Sequence, residues 1–355
     1  RPWFRFATPD AELMDRDDVK VYMAEVEATC RAILHKSNFY NTAYTVYTEL
    51  GAFGTAPLYR QKSFDSVIRF RPFTAGEYVI AENHFGEVDT IGRNFTMTVA
   101  QIIGKFVIQP DGKFDWAGVS KATKKLWDNK NYDELVPIIH LIEPRHMSDR
   151  DTSKPDQLNM PYKSLYFEEG GEGDDVLHEG GYEKLPVYVP RWDVLSGEMY
   201  GRSPGMDCLG DIKQPMTAPT SLRGKPSTVL PGGTTYLDPA QGSQGFQPAY
   251  LVQPRLGEMM QDIQSVQERI QRGFYADLFA MMINSDRRQI TAREVSERHE
   301  EKLVLLGPVL QRLNIELLDP LLDDVFSFAQ DAGLLPDPPE VLTDVDLRIE
   351  YISLL

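Results

Sequence analysis

"TAREVSERHEEKLVLLGPVLQRLNIELLDPLLDDVFSFAQDAG" occupies residues 291–333. Thr291 followed by Glu294 has the spacing of a capping box, in which each residue satisfies a free N–H of the first helical turn. The apolar residues that follow recur at three- and four-residue steps, so the stretch reads as one long amphipathic helix. Gly307-Pro308 and Pro320 interrupt it, because proline lacks the N–H that the helix ladder needs, and kinks are expected at both places. "LLPDPPEVL" then stops the helix.

The segment before it, "RLGEMMQDIQSVQERIQRGFYADLFAMM" (255–282), is a second long helical pattern. Met259, Ile263, Val266, Ile270, Phe274 and Leu278 form its apolar stripe. At 1.5 Å per residue it would extend about 42 Å, with a bend at Gly273. Between the two helices lies "INSDRRQI" (283–290), where Arg287 and Arg288 stand together in a chain of net charge −16.

Before residue 203 the pattern is mixed. Residues 15–36 and 37–54 read as helices, the second closed by Gly51 and Gly54. Tyr40, Tyr44 and Tyr47, with Phe39, fit a buried helix face better than a base-stacking platform. "APLYRQ", "SVIRFRPF", "EYVIAEN" and "VDTIGRNFTM" are short alternating segments that read as an antiparallel meander or small barrel. "TVAQIIGKF" and "WAGVSKATKKLWDN" read as short helices. "ELVPIIHLIEPR", "YKSLYFEE", "DVLHEGG" and "LPVYVPRWD" form a second β group. The fold class is therefore α+β. From Pro215 to Pro254 the composition changes: seven prolines and five glycines, with Arg223, Lys225 and Asp238 the only charges. Such a segment suits short strands packed against neighbours, although a disordered stretch is also consistent with it.

Bulk numbers narrow the function. The chain has 355 residues, with Lys+Arg 37 against Asp+Glu 53. That charge argues against a nucleic-acid grip made by a basic surface. No apolar run approaches the ~18 residues that span a bilayer, and the start shows no signal-peptide pattern. Arg1 and the finish on "YISLL" read as trimmed ends. Cys30 and Cys208, with no CxxC, read as reduced thiols rather than a zinc site. The six histidines form no metal-ligand pattern. "EEGGEGDD" (168–175) lacks the order of a calcium loop, and "RHMSDRD" (145–151) reads as a polar loop. "DDV" (323–325) and "RDD" (16–18) read as surface helix charges rather than a two-metal site. No phosphate-loop, nucleophile-elbow or dinucleotide motif occurs. No metal or cofactor is expected.

The order of segments carries more than any single motif. "PWFRFATPD", "SNFYNTAYTVYTELGAFGTAPLY", "YGRSPGMDCLGDIK", "RRQITAREVSERHEEKLVLLGPVLQRLNIELLDPLL" and "GLLPDPPE" follow one another through nearly the whole chain. In that order they resemble the portal (head-to-tail connector) proteins of short-tailed bacteriophages. The resemblance implies a non-enzymatic ring, usually of twelve subunits, at one capsid vertex of the virion, assembled in the host cytoplasm. It implies docking of terminase, passage of double-stranded DNA for packaging and ejection, and contact with adaptor and tail proteins, the major capsid protein and scaffolding protein.

The resemblance also gives the segments places. Residues 1–202 would be the wing, 203–214 the first stem helix, 215–254 the clip and 255–282 the returning stem helix. Residues 283–290 would be the channel (tunnel) loop, 291–335 the kinked helix bridging wing and crown, and 336–355 the lead-in to a crown. The first stem helix is short for the family, so either the stem is short or residues are missing between Gln214 and Pro215. The channel candidates are Asn284, Ser285, Asp286, Arg287, Arg288 and Gln289, with Arg269 and Arg272 on the stem helix. The partner-binding candidates in the clip are Thr220, Leu222, Arg223, Lys225, Tyr236 and Phe246. For Arg287 and Arg288, contact with DNA and pairing with acids of the same or a neighbouring subunit both stay open. Another phage adaptor, or an acidic enzyme with a concealed site, are the rival classes.

Overall fold

The helix of residues 17–36 shows why the chain begins as it does. In the computed structural model, α1 (Ala11–Asp15) leads into α2 (Asp17–Lys36). Asp17 and Asp18 stand in the first turn of α2, and His35 and Lys36 in its last, each complementing the helix dipole. Val19, Met23, Val26, Cys30 and Leu34 are buried on one face. The structure describes residues 2–109, 111–170, 176–213, 235–236, 247–248, 256–276, 306–342 and 345–352. They divide into two units, Arg1–Arg202 with Gly307–Leu355, and Ser203–Leu306.

In the first unit, α3 (Phe39–Phe53) packs beside α2 and ends on Gly54, whose φ of +78° forms a left-handed cap. A Cβ at Gly54 would stand 2.3 Å from the Gly201 carbonyl oxygen, so close backbone approach requires glycine there as well. The expected aromatic face is only half buried. Phe39 is buried and Tyr40 packs against the core, but Tyr44 and Tyr47 are exposed. Their positions fall on the outer side of a helix whose inner stripe is already filled by Phe39, Ala43, Val46 and Leu50.

The two expected β groups are interleaved. β2 (Leu58–Ser63), β3 (Val67–Pro72) and the late β9 (Val187–Tyr188) form one antiparallel sheet in the order β3-β2-β9. β4 (Tyr78–Glu82), β5 (Val88–Thr98), β6 (Leu135–Pro144), β7 (Tyr162–Glu168) and β8 (His178–Tyr182) form a second, in sequence order. The separation into early and late groups fails because β5 pairs along eight residues of β6. A capping box at Thr98 and Gln101 opens α4 (Val99–Ile102), which runs into a π turn at Ile103–Val107. Then comes α5 (Lys121–Asp128).

Two further differences concern the end of the chain. β1 (Phe4–Ala7) pairs antiparallel with β12 (Arg348–Tyr351), so part of the expected crown lead-in closes onto the N-terminal strand. The alternation of "DLRIEY" is short, and only its distant partner makes it a strand. The kink before Pro320 is a π turn, Asn314–Leu318, followed by α8 (Asp319–Asp331). Proline withholds an N–H, and widening the helix by one residue re-registers the ladder around it. Leu317, Leu321, Leu322 and Val325 are buried here, joining the core of α2, α3 and β1.

Candidate functional site

The second unit contains the described part of the segments assigned to stem and clip. Ser203 caps α6 (Pro204–Asp207): its side chain accepts from the Met206 N–H at 3.0 Å, and Pro204 occupies the first turn, where its missing N–H costs nothing. Residues 209–213 are also helical. The expected helix 255–282 is α7 (Leu256–Gly273). Phe274 and Tyr275 interrupt it with a turn, Tyr275 at φ +55°, next to the bend expected at Gly273; Ala276 is helical again and 277–282 lie outside the described residues. β10 (Thr235–Tyr236) and β11 (Gln247–Pro248) pair antiparallel inside 215–254, which places the candidate Tyr236 on a strand. Thr220, Leu222, Arg223, Lys225, Phe246 and the loop candidates Asn284 to Gln289 lie outside the described residues, as does the Gln214–Pro215 junction.

Gly273 sits against Cys208, a buried free thiol. A Cβ at 273 would stand 2.2 Å from the Cys208 sulfur. Gly→Ala at an ordinary helix position gains up to about 1 kcal/mol. Here overpacking reverses the sign, and Gly273→Ala is expected to cost about 1–3 kcal/mol in urea denaturation. Cys208→Ala in the same chain should restore most of that loss, which a double-mutant cycle will read directly.

The stem arginines are engaged within the chain. Arg269 Nη2 lies 2.9 Å from Asp211 Oδ1, joining α7 to residues 209–213, and Arg272 Nη2 lies 3.6 Å from Glu268 Oε2 one turn earlier. Both pairs are substantially exposed, so each contributes well under about 1 kcal/mol and salt weakens it.

The first unit holds the kinked helix by buried charges that sequence reasoning missed. Arg191 is 4% exposed. Its Nη2 donates to Glu316 Oε1 at 2.7 Å and to the Gly86 carbonyl at 3.0 Å. Its Nη1 donates to Glu82 and to the Met199 carbonyl, and its backbone N–H to Glu316 Oε2 at 2.8 Å. Glu316 belongs to the π turn, so one guanidinium ties that turn to the end of β4 and to two loops. Nearby, Asp324 of α8 accepts from the Tyr188 hydroxyl at 2.5 Å, and its Oδ2 lies 2.6 Å from Arg60 Nε, an ionic contact rather than a well-angled hydrogen bond. Burial, and then the Asp324 charge, push the Tyr188 phenol well above its ordinary range, so it acts as donor.

The reading of "DDV" as surface charge therefore fails for Asp324, which is 5% exposed. Helical periodicity turned it inward, and Arg60 and Tyr188 on β2 and β9 provide the partners that make its burial tolerable. Asp323 borders a cavity of about 620 Å³ that Arg191 and Glu316 also line, and burial raises its carboxyl above the usual range. Among the described residues no cluster of His, Cys, Asp or Glu has the arrangement of a metal site. No described helix is long and apolar enough to cross a membrane.

Comparison with known proteins gives the family. The family model for the bacteriophage head to tail connecting protein matches residues 1–355. The chain is 40% identical over 374 residues to the portal protein of Salmonella phage epsilon15, covering 100% of this chain and 66% of that protein. It is 40% identical over 373 residues to the probable portal protein of Bordetella phage BPP-1, covering 100% of this chain and 65% of that protein. The chain thus spans just under two thirds of the length of these relatives. Matched by the family model through its whole length, the chain belongs to the bacteriophage head-to-tail connecting proteins.

Proposed function

We propose that the chain is a portal protein: a structural subunit of a ring at one capsid vertex of the virion, through which double-stranded DNA enters during packaging and leaves at ejection. The observation that carries this reading is the 40% identity, along the whole of this chain, with two phage proteins named as portals. The ring would dock terminase first and adaptor and tail proteins later, within a shell built on capsid and scaffolding proteins. Residues 1–202 and 291–335 serve as wing and bridging helix, 203–214 and 255–282 as stem, 215–254 as clip, and 283–290 as channel loop.

The charge balance suits passage rather than grip. A basic channel would neutralise phosphates, release counterions and gain affinity with every contact, which slows sliding. A ring of chains each at −16 repels the DNA backbone and leaves a few cations to make discrete contacts. Arg287 and Arg288 are the candidates in the loop. Arg269 and Arg272 on the stem would exchange their exposed intrachain acids for phosphate as DNA passes. The nearly charge-free clip loses little desolvation energy when buried against a partner.

Native mass spectrometry with negative-stain imaging of the purified chain tests the assignment. The expected result is a closed ring with a central hole. A monomer or dimer under conditions that keep the chain folded overturns it.

A further inference from the structure

Most guanidinium groups in the described residues have a close carboxylate. Arg191 has Glu82 and Glu316, Arg60 has Asp324, Arg145 has Glu179 at 2.6 Å, and Arg269 has Asp211. One recess between the two sheets of the first unit departs from this. It has a volume of about 640 Å³ and is lined by Arg71, Arg93 and Lys105, with no carboxylate among its lining residues. β3, β5 and the π turn after α4 each contribute one of the cations.

Arg93 is the deepest of the three, 7% exposed. Its guanidinium lies over Phe73 at 4.6 Å and Phe95 at 4.4 Å. Its Nε has no hydrogen-bond partner, and its ion contact is a loose one, Nη2 to Glu77 Oε2 at 3.9 Å, with Glu77 half exposed. Lys105 Nζ stands 4.4 Å from the Tyr166 ring centre. Ring faces hold these cations in place. They do not accept the N–H donors at the edge of a guanidinium, which remain available for the oxygens of an anion.

The remaining polar walls carry no compensating negative charge. His140 Nε2 is already engaged with Ser164 Oγ at 2.8 Å, and the Tyr59 hydroxyl with Tyr182 at 2.9 Å. Gln101 uses its side-chain oxygen to cap α4, which leaves its amide N–H group as a donor. Burial, and then the Arg71 charge, lower the affinity of both Arg93 and Lys105 for their protons.

We propose that the recess of Arg71, Arg93 and Lys105 binds an oxyanion, either a free phosphate-like ion or the side-chain carboxylate of a second copy of this chain. The second source follows from the charge of the chain, since every copy carries 53 acidic residues against 37 basic ones. Both sources use the same recognition: donors converging from three elements on a charge of opposite sign.

The test uses the full chain. Thermal unfolding is followed while inorganic phosphate replaces chloride at constant ionic strength. The double variant R71M/K105M, altered at two exposed positions, is compared with R71K/K105R, and native mass spectrometry of each variant reports assembly. If a free anion is the ligand, phosphate stabilises the parent chain beyond chloride, R71M/K105M weakens its half-saturation at least tenfold, R71K/K105R preserves it, and assembly is unchanged. If the ligand is a neighbour's carboxylate, R71M/K105M loses assembly, R71K/K105R keeps it, and phosphate competes with assembly of the parent chain. A parent chain indifferent to phosphate, together with an R71M/K105M variant that assembles normally, overturns the proposal. Failure of any chain to form rings bears on the portal assignment alone, since the phosphate titration then decides the recess.

Discussion

Arg191→Met is expected to destabilise the first unit by about 3–5 kcal/mol, because removing one partner of a buried ion pair leaves the other charges uncompensated. Glu316 and Glu82 are themselves largely buried, and the Gly86 and Met199 carbonyls lose their donor as well. Lysine cannot replace the planar fork that reaches Glu82, Glu316 and two carbonyls together, so Arg191→Lys should recover only part of the loss. Urea denaturation of the parent and both variants checks this. Adding Glu316→Gln to Arg191→Met should cost less than the sum of the single changes, since it removes one stranded carboxylate. A loss below about 1 kcal/mol for Arg191→Met would show that water reaches the cluster and that the π turn is held by packing alone.

His140 is expected to make the first unit sensitive to acid. It is 5% exposed, stacked on Tyr166 at 3.8 Å, and its pKa is pushed down to about 3. Burial is the main cause, followed by the positive charges of Lys105 and Arg93 and by His178. The folded state therefore binds a proton more weakly than the unfolded state, whose histidine titrates near 6.5. The stability this contributes is complete above that value and is lost as pH falls from about 6.5 towards 3. Each pH unit in that window removes about 1.4 kcal/mol, so roughly 2–3 kcal/mol should disappear between pH 7 and pH 4.5. His140→Gln should be somewhat less stable at pH 7 but should lack this slope. Urea midpoints at matched pH values measure the difference, and a ring proton of His140 titrating near 6.5 by NMR would contradict the expectation.

Much of the helical content was legible because its signals are local. α2 and α3 carry their own periodicity, α3 with a glycine stop at Gly54, and the strands from β2 to β9 show alternation bounded by turn residues. Asp324 was misjudged for the opposite reason. A carboxylate's burial depends on whether a cation waits at a distant position, and Arg60 lies 264 residues earlier in the sequence. Arg191 gave no signal beyond an arginine after a short strand. The recess of Arg71, Arg93 and Lys105 was equally invisible, since its members come from three elements.

The sequence by itself determined the α+β class, the helices Asp17–Lys36 and Phe39–Phe53 and the order of segments that marks the family, because periodicity, caps and breakers act over one or two turns. Tertiary structure alone decided which strands share a sheet, that β12 closes on β1, which acids lie inside and where cations gather without counter-ions. Those outcomes depend on partners tens to hundreds of residues apart, and burial sets their energy only once the chain has brought them together.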